Sequence, residues 1–191
     1  MRTNRGGRGL AAIVAGLLIV VAAGQAPAVA AAKTPGDGHY GFQNYKSGLF
    51  LQPSGSSTAV GARMVQAVIE TPGGGDLKGA QNWWEKPIVG SLLDEVRFQA
   101  GNSSLHLGID QGSTSAGAHA IQAQYSPLYT NQRWIVRRSL AASHPSDIKE
   151  IYNVKSGLCL GVDRASTSVG AYVMQFRCDG AVNQGWRIVD R

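Results

Sequence analysis

Three Gln-x-Trp triplets, which end at Trp83, Trp134 and Trp186, restrict the possible folds of this chain more than any other feature. The tryptophans lie 51 and 52 residues apart. The sequence has only 4 tryptophans, and chance would rarely space three of them so evenly. A fixed period of this size is typical of an internal repeat. The chain is therefore predicted to contain three copies of one structural unit.

The residues ahead of each triplet recur in the same order. Every copy has alternating apolar residues, a turn of small residues, a Gly-Ala pair and a second short run before Gln-x-Trp. Alternation at every second residue indicates β-strands, and no apolar run follows the period of a helix, so the predicted fold class is all-β. The copies contain Leu49, Leu51, Ser56-Ser57-Thr58, Gly61-Ala62 and Val65-Gln66; Leu105, Leu107, Ile109, Ser113-Thr114-Ser115, Gly117-Ala118 and Ile121-Gln122; and Leu158, Leu160, Val162, Ser166-Thr167-Ser168, Gly170-Ala171 and Phe176.

Each unit of about 45 to 50 residues is too short to bury an apolar core by itself. We therefore expect the three repeats to pool Trp83, Trp134 and Trp186 in one shared core. Trp84 directly follows Trp83 and should point to the opposite face of its strand. Residues 71–80 and 139–149 interrupt the repeat with Gly-rich and Pro-containing segments, and they are predicted to be surface loops.

The first 32 residues are predicted to form a cleaved signal peptide. Three arginines precede an unbroken run of apolar and small residues at positions 10–23, and Ala28-Val29-Ala30 offers a cleavage site. A membrane anchor is the alternative, but the run is shorter than the roughly 20 residues that span a bilayer. The mature protein would be secreted without membrane insertion. Residues 33–39 would be a flexible lead-in to a domain over 40–191, with repeats at about 40–90, 91–140 and 150–191.

Charge and cysteine content limit the partners and cofactors. Removal of the three N-terminal arginines reduces the 18 basic residues to 15, against 12 acidic ones. This balance does not favour nucleic-acid binding. An exported chain with an even number of cysteines favours a disulfide between Cys159 and Cys178. The histidines show no metal-ligand spacing, so we expect neither a metal nor another cofactor.

Gln-x-Trp at this spacing, preceded by a Leu-rich strand and a Ser/Thr-Gly turn, resembles the ricin B-type lectin family from position 40 to the C-terminus. The resemblance implies a β-trefoil, in which each repeat supplies four short strands, and it implies binding of a carbohydrate or polysaccharide. It also implies a bridge within one repeat, where Cys159 and Cys178 stand. The pocket of that family uses an Asp two residues after the first half-cystine, an aromatic ring and an Asn before Gln-x-Trp. The Asp carboxylate accepts hydrogen bonds from sugar hydroxyls, and the ring stacks on the sugar. The Asn amide both donates and accepts hydrogen bonds.

The third repeat matches this pocket best. Phe176 and Asn183 take the aromatic and Asn positions, and Gln184 follows directly. Gly161 takes the Asp position. Asp163 lies two residues further along on the same strand face, so it is either a displaced carboxylate or a solvated turn residue.

The second repeat is a weaker candidate. Asn131 matches, Gly108 takes the Asp position with Asp110 displaced in the same way, and Tyr125 is a stand-in for the aromatic that Ala123 replaces. The first repeat keeps none of the three groups and is predicted to be scaffold only. Its residues at these positions are Gln52, Ala67 and Ala80.

The sequence therefore predicts a secreted, non-catalytic carbohydrate-binding protein that uses the third repeat and, with lower rank, the second. It has none of the metalloprotease, serine-hydrolase or free Cys-His signatures, so it is not predicted to be an enzyme. The alternative is a protein-binding trefoil, such as a secreted protease inhibitor or adhesin, because a fold does not fix a function. Loops 71–80 and 139–149 would then make the contacts.

Overall fold

The computed structural model describes residues 38–70 and 79–190, and this part of the chain consists of strands joined by turns. The predicted signal peptide, all but the last two residues of the lead-in, and residues 71–78 lie outside the described residues. Within the described ranges, no helix is long and apolar enough to cross a membrane. The strands are β1 His39–Asn44, β2 Phe50–Pro53, β3 Met64–Ala67, β4 Trp83–Pro87, β5 Val96–Ala100, β6 His106–Ile109, β7 Ala120–Ala123, β8 Trp134–Arg138, β9 Lys149–Asn153, β10 Cys159–Val162, β11 Val173–Phe176 and β12 Trp186–Asp190.

Six of these strands close into a barrel. β1 pairs with β4, β4 with β5, β5 with β8, β8 with β9, and β9 with β12. β12 then pairs with β1, which completes the ring. The long ladders are those between repeats, β4–β5, β8–β9 and β12–β1. Because the ring is complete, the barrel has no open edge that could recruit another strand.

The other six strands form three hairpins, β2–β3, β6–β7 and β10–β11. Single bridges join the hairpins to one another, between Arg63 and Ile121, Val65 and Tyr172, and His119 and Met174. Each repeat thus supplies four strands, two of which belong to the barrel and two to a hairpin. This arrangement is a β-trefoil, so the predicted fold class is confirmed.

The three repeated tryptophans lie in one core. Trp83, Trp134 and Trp186 have no solvent exposure. Each indole N–H donates to a backbone carbonyl in its own repeat, so the buried ring leaves no polar atom unpaired. Trp84 is only half-buried and faces outward, as predicted. The accepting carbonyls are those of Leu51, Leu107 and Leu160, at 3.3, 3.0 and 2.9 Å.

A buried glutamine in each repeat ties that repeat to a neighbour. The amide nitrogen of Gln175 donates to the carbonyls of Ser113 and Ser115, at 3.0 and 2.9 Å. Its Oε1 accepts from a serine hydroxyl of its own repeat at 2.7 Å. Gln66 and Gln122 make the same three kinds of contact, so the three inter-repeat clamps are equivalent.

The Gly-Ala pair completes this clamp through the backbone. The N–H of Gly117 donates to the carbonyl of Gln175 at 2.8 Å, and the N–H of Gln175 donates to the carbonyl of Ala118 at 3.0 Å. Gly117 has a φ of 85°, in the left-handed region where a side chain would be strained. Gly61 and Gly170 repeat the arrangement. The recurring pair therefore marks the contact between repeats.

The loop before β9, predicted to be a surface loop, packs against the third repeat. Ser139, His144 and Ile148 are buried. The hydroxyl of Ser139 lies 2.6 Å from Nδ1 of His144. A Cβ added at Gly185 would stand 2.8 Å from Cγ2 of Ile148, so the loop packs directly on the Gln-Gly-Trp triplet of the third repeat. Most of its residues are exposed or partly exposed, as predicted for a surface loop, and these three side chains anchor it.

Replacing Trp134 by Ala should lower the free energy of unfolding by at least ~3 kcal/mol, because a fully buried aromatic leaves a cavity. Chemical denaturation of the purified protein measures this loss. Trp84→Ala is the matched control and should cost less, since that ring is partly exposed. Wild-type stability of Trp134→Ala would contradict a shared tryptophan core.

Replacing Gln175 by Leu should cost at least about 2 kcal/mol, because two buried carbonyls and one hydroxyl lose their partner. The exposed Gln124 supplies the control, and Gln124→Leu should change stability by no more than about 0.5 kcal/mol. Thermal and urea unfolding of both variants compare the two sites. Equal stability of the two variants would show that the clamp contributes little.

Candidate functional site

On the outer face of the third-repeat hairpin, an aromatic ring lies beside a glycine. Phe176 of β11 pairs with Cys159 of β10, and Gly161 follows on the same face. A Cβ added at Gly161 would stand 3.2 Å from Cδ2 of Phe176 and 3.0 Å from Cγ of Gln184. These two side chains already crowd the space that an Asp at position 161 would need. An Asp there would require the Phe176 ring or the Gln184 side chain to move by a few tenths of an ångström.

Asn183 and Asp163 meet at the end of β10. Nδ2 of Asn183 donates to the carbonyl of Val162 at 2.8 Å, which places this amide next to Asp163 in the chain. The Asp163 side chain is 31% exposed, and its ion pair with Arg164 is 3.8 Å long. Exposed ion pairs of this kind contribute little, so the carboxylate stays available. Along β10 and the turn after it, the structure thus places Phe176 beside Gly161 and Asn183 beside Val162, the residue before Asp163.

The turn that carries Asp163 has an unusual backbone. Asp163–Ala165 is a 3₁₀ turn in which Arg164 and Ala165 both have a φ of 50°. A residue other than glycine that adopts such a positive φ costs on the order of 1 kcal/mol or more, and residues of this kind cluster at functional sites. The equivalent turn of the second repeat, Asp110–Gly112, has a glycine where the third repeat has Ala165.

Lys46, which the sequence did not mark as a candidate, reaches this turn from the first repeat. Its Nζ donates to the carbonyl of Ala165 at 2.7 Å. Lys155 occupies the equivalent position in the third repeat and lies over the second-repeat turn, where a Cβ added at Gly112 would stand 2.7 Å from its Nζ. The recurrence of Asn-x-Lys-Ser-Gly-Leu at 44–49 and 153–158 was the signal in the sequence. The candidate site therefore has a contributor from a neighbouring repeat.

Gln184, predicted to contact sugar, uses both ends of its amide inside the protein. Nε2 donates to the carbonyl of Arg177 at 2.8 Å, and Oε1 accepts from the N–H of Asp179 at 3.3 Å. Its side chain is buried. The glutamines of the other two triplets hold the loop after the third strand of their repeats in the same way. We therefore assign Gln184 to holding the loop and leave it out of the contact set.

The second repeat shows the same framework without the ring. Nδ2 of Asn131 donates to the carbonyl of Ile109 at 2.9 Å, next to Asp110. A Cβ added at Gly108 would stand 3.1 Å from Cγ of the following triplet's glutamine. Ala123 lies at the register position that Phe176 holds in the third repeat. The amide and the carboxylate are thus in place, but the stacking surface is missing.

Tyr125 packs against a histidine, two positions beyond the place of the pocket aromatic. Its ring centroid lies 5.1 Å from that of His106. By register, His106 and Tyr125 stand where Cys159 and Cys178 stand in the third repeat. The ring pair therefore occupies the position of the disulfide. Burial, with the positive charges of Arg97 and Lys86, lowers the pKa of His106 to about 4, so this ring is neutral at neutral pH.

The first repeat fills its own pocket. Gln52 replaces the glycine of the other repeats, and its Oε1 accepts from Nε2 of Gln81 at 2.9 Å. Ala67 and Ala80 provide neither a ring nor an amide. Among the residues that the structure describes, no group of three His, Cys, Asp or Glu side chains could hold a metal ion. The ring, amides and carboxylates of the second and third repeats are suited to ring stacking and hydrogen bonding.

Cys159 and Cys178 form a disulfide within the third repeat. Loop-closure entropy for the separation of 19 residues gives a stabilisation of about 3 kcal/mol. Reduction should therefore lower the melting temperature, and the intact protein should be about two mass units lighter than the reduced form. Alkylation of either cysteine without prior reduction, read by mass spectrometry, would contradict the bridge.

Comparison with known proteins places the chain in a family. Residues 28–123 and 130–191 match the ricin-type beta-trefoil lectin domain-like family. The crystal structure of a designed three-fold symmetric protein, ThreeFoil, shares 33% identity at a TM-score of 0.69, over 81% of this chain and 100% of that one. The ricin B-like lectin of Macrolepiota procera, solved in complex with lactose, shares 17% identity at a TM-score of 0.65, over 84% of this chain and 100% of that one. No curated protein matches the chain.

An enzyme is also among the similar structures. An exo-beta-1,3-galactanase from Clostridium thermocellum shares 24% identity at a TM-score of 0.68. The match covers 82% of this chain but 31% of the galactanase. Because most of the galactanase lies outside the match and the identity is low, this likeness shows the fold alone.

The closed barrel, the three hairpins and the pocket framework define a β-trefoil domain of the lectin type. The chain belongs to the ricin-type β-trefoil lectin domain-like family. Membership of this lectin-type family supports carbohydrate binding at the level of the family.

Proposed function

We propose that the protein is a secreted, non-catalytic carbohydrate-binding protein whose main site is the third repeat. The observation that carries this proposal is that Phe176 lies beside Gly161, and that Asn183 donates to the Val162 carbonyl, next to Asp163, so a ring, an amide and a carboxylate follow one another along β10 and the turn after it. A sugar presents an apolar face and several hydroxyls, and these three groups complement both. The lactose complex of the Macrolepiota procera lectin supports a galactose-containing sugar as the first ligand to test.

The displaced carboxylate explains how the site works without the family's Asp. Gly161 leaves room for the Phe176 ring against the strand. Asp163 supplies the charge two residues later, from the turn that follows β10 and not from the strand face that the sequence predicted. Asn183 is only 8% exposed, and its bond to the Val162 carbonyl leaves one amide hydrogen and Oδ1 for a ligand that reaches it. An ionised carboxylate strengthens hydrogen bonds from sugar hydroxyls. A shallow site of this kind is expected to bind with millimolar affinity, about −4 kcal/mol.

The second repeat is proposed as a weaker site. Asp110 and Asn131 are placed as in the third repeat, but Ala123 offers no ring, and Tyr125 is held by His106. Two sites on one polysaccharide would raise the apparent affinity through multivalency. Export follows from the predicted signal peptide and suits a protein that binds extracellular glycans and carries a disulfide.

Phe176→Ala should weaken lactose binding about five- to thirty-fold, because the stacking surface is lost. Asp163→Asn keeps the shape but removes the charge, and it should weaken binding by a similar factor. Calorimetric titration of each variant measures the affinity, and melting curves show that neither change unfolds the domain. Unchanged affinity in both variants would contradict a third-repeat site.

Ala123 offers a matched gain-of-function control. Ala123→Phe places a ring beside Gly108, as Phe176 lies beside Gly161, and should strengthen binding at the second repeat. If Ala123→Phe left lactose binding unchanged, the ring position would not determine the ranking of the two sites.

Asn183→Ala should weaken binding and also cost about 1 kcal/mol of stability, because the Val162 carbonyl loses its partner.

A protein-binding role is the second candidate, and the loop between β4 and β5 favours it. Val89 and Leu92 are almost fully exposed, at 100% and 97%, and Leu93 is 61% exposed. Exposed apolar residues in a cluster often mark interaction surfaces. A panel of secreted proteases tests this role: inhibition that is lost in Leu92→Asp, without glycan binding, would favour a protein-binding trefoil over a lectin.

A further inference from the structure

The outer face of β4 and β5 carries two positive side chains directly opposite each other. Lys86 on β4 pairs in register with Arg97 on β5. Like charges at opposed positions destabilise a sheet. Within the described part of the chain, neither forms an ion pair with a carboxylate. Among the described residues, the ladder therefore holds two positive charges side by side without a carboxylate partner.

The other two junctions between repeats show that the fold does not require this pair. At the equivalent position of β8 and β9, Arg137 stands opposite Glu150, a pair of opposite charges. At the junction of β12 and β1, Val189 stands opposite Gly41, a neutral pair. The same ladder thus forms with attractive or uncharged partners. Repulsion between Lys86 and Arg97 is a feature of the first junction only.

Aromatic rings hold both cations in place. Nζ of Lys86 lies 4.9 Å from the centroid of the Trp84 ring, and Cζ of Arg97 lies 4.2 Å from that of Tyr125. Tyr125 in turn packs against His106. Cation–π contacts position a charged group but leave its charge intact. The two charges are therefore fixed and still able to attract an anion.

Among the described residues, three buried nitrogen atoms at this face lack a hydrogen-bond partner. They are Nε of Arg97, Nδ1 of His106 and Nε2 of His39, whose ring packs against Trp84. His106 is only 6% exposed. Buried polar atoms in folded proteins are almost always paired, so unpaired ones beside two cations point to a missing ligand.

We propose that Lys86, Arg97 and His106, flanked by Trp84 and Tyr125, form a second binding site for a carboxylate or sulfate group carried on a saccharide. A guanidinium binds an oxyanion through two parallel hydrogen bonds, and an ammonium adds a point charge. Binding of the anion follows from this geometry alone, whereas the choice of a saccharide as its carrier rests on the proposed function. The site belongs to the junction of the first two repeats and uses none of the third-repeat contacts.

Short fragments of dextran, carboxymethyl dextran and dextran sulfate test the site. The three share one sugar backbone, and they carry no charge, carboxylates and sulfates, respectively. Calorimetric titration at low salt should show binding of both charged forms. Lys86→Gln and Arg97→Gln should each weaken that binding roughly tenfold or more. Arg137→Gln removes the same charge from the equivalent junction, and it should change the affinity for charged dextrans less than twofold. Lys86→Glu creates an opposite-charge pair, so it should abolish binding without lowering the melting temperature.

Three results would overturn the proposal. Full affinity of Lys86→Gln and Arg97→Gln for both charged dextrans would remove the site. Inorganic sulfate that binds as tightly as dextran sulfate would exclude the saccharide as carrier. A single-stranded oligonucleotide that binds as tightly, with the same dependence on Lys86 and Arg97, would assign the face to nucleic acid. Phe176→Ala should leave binding of charged dextrans unchanged, so failure of the third-repeat site can be recognised separately.

Discussion

The structure depends on a buried amide that each repeat places against its neighbour. A single repeat leaves one apolar face and several backbone carbonyls that only another repeat can cover. Gln66 covers two such carbonyls, those of Ser166 and Ser168, at 3.0 and 2.9 Å. Since three equivalent clamps close the ring, removing one leaves polar groups unpaired on both sides of a junction. Hydrophobic burial of the tryptophans drives collapse, and the amides fix how each repeat docks on its neighbour.

The same closure builds the candidate site. The turn that carries Asp163 is held from the first repeat, by the Gln66 clamp on one side and by Lys46 at the carbonyl of Ala165 on the other. Arg164 and Ala165 keep a strained backbone there, which persists only when the surroundings impose it. The third-repeat site is thus a property of the closed trefoil and not of one isolated repeat.

The sequence predicted those features that recur within a repeat, because spacing and alternation report on local strands and on which residues turn inward. The burial of Trp134 and the outward direction of Trp84 are of this kind. Contacts between distant repeats left weaker signals, so Lys46 was missed although its motif recurs. Tyr125 shows a different limit. Its position relative to Ala123 suggested a pocket ring, but the ring packs against His106, which stands where the third repeat has a cysteine.

Sugar binding at the third repeat is the central claim, and an NMR titration of the wild-type chain with lactose tests it most directly. Backbone amide resonances should shift at Gly161, Asp163, Phe176 and Asn183. All four shifts should fit one binding curve with a millimolar Kd. Smaller shifts of the second-repeat resonances would follow at higher sugar concentration. Shifts confined to the second repeat, or no shift at any sugar concentration, would contradict the account.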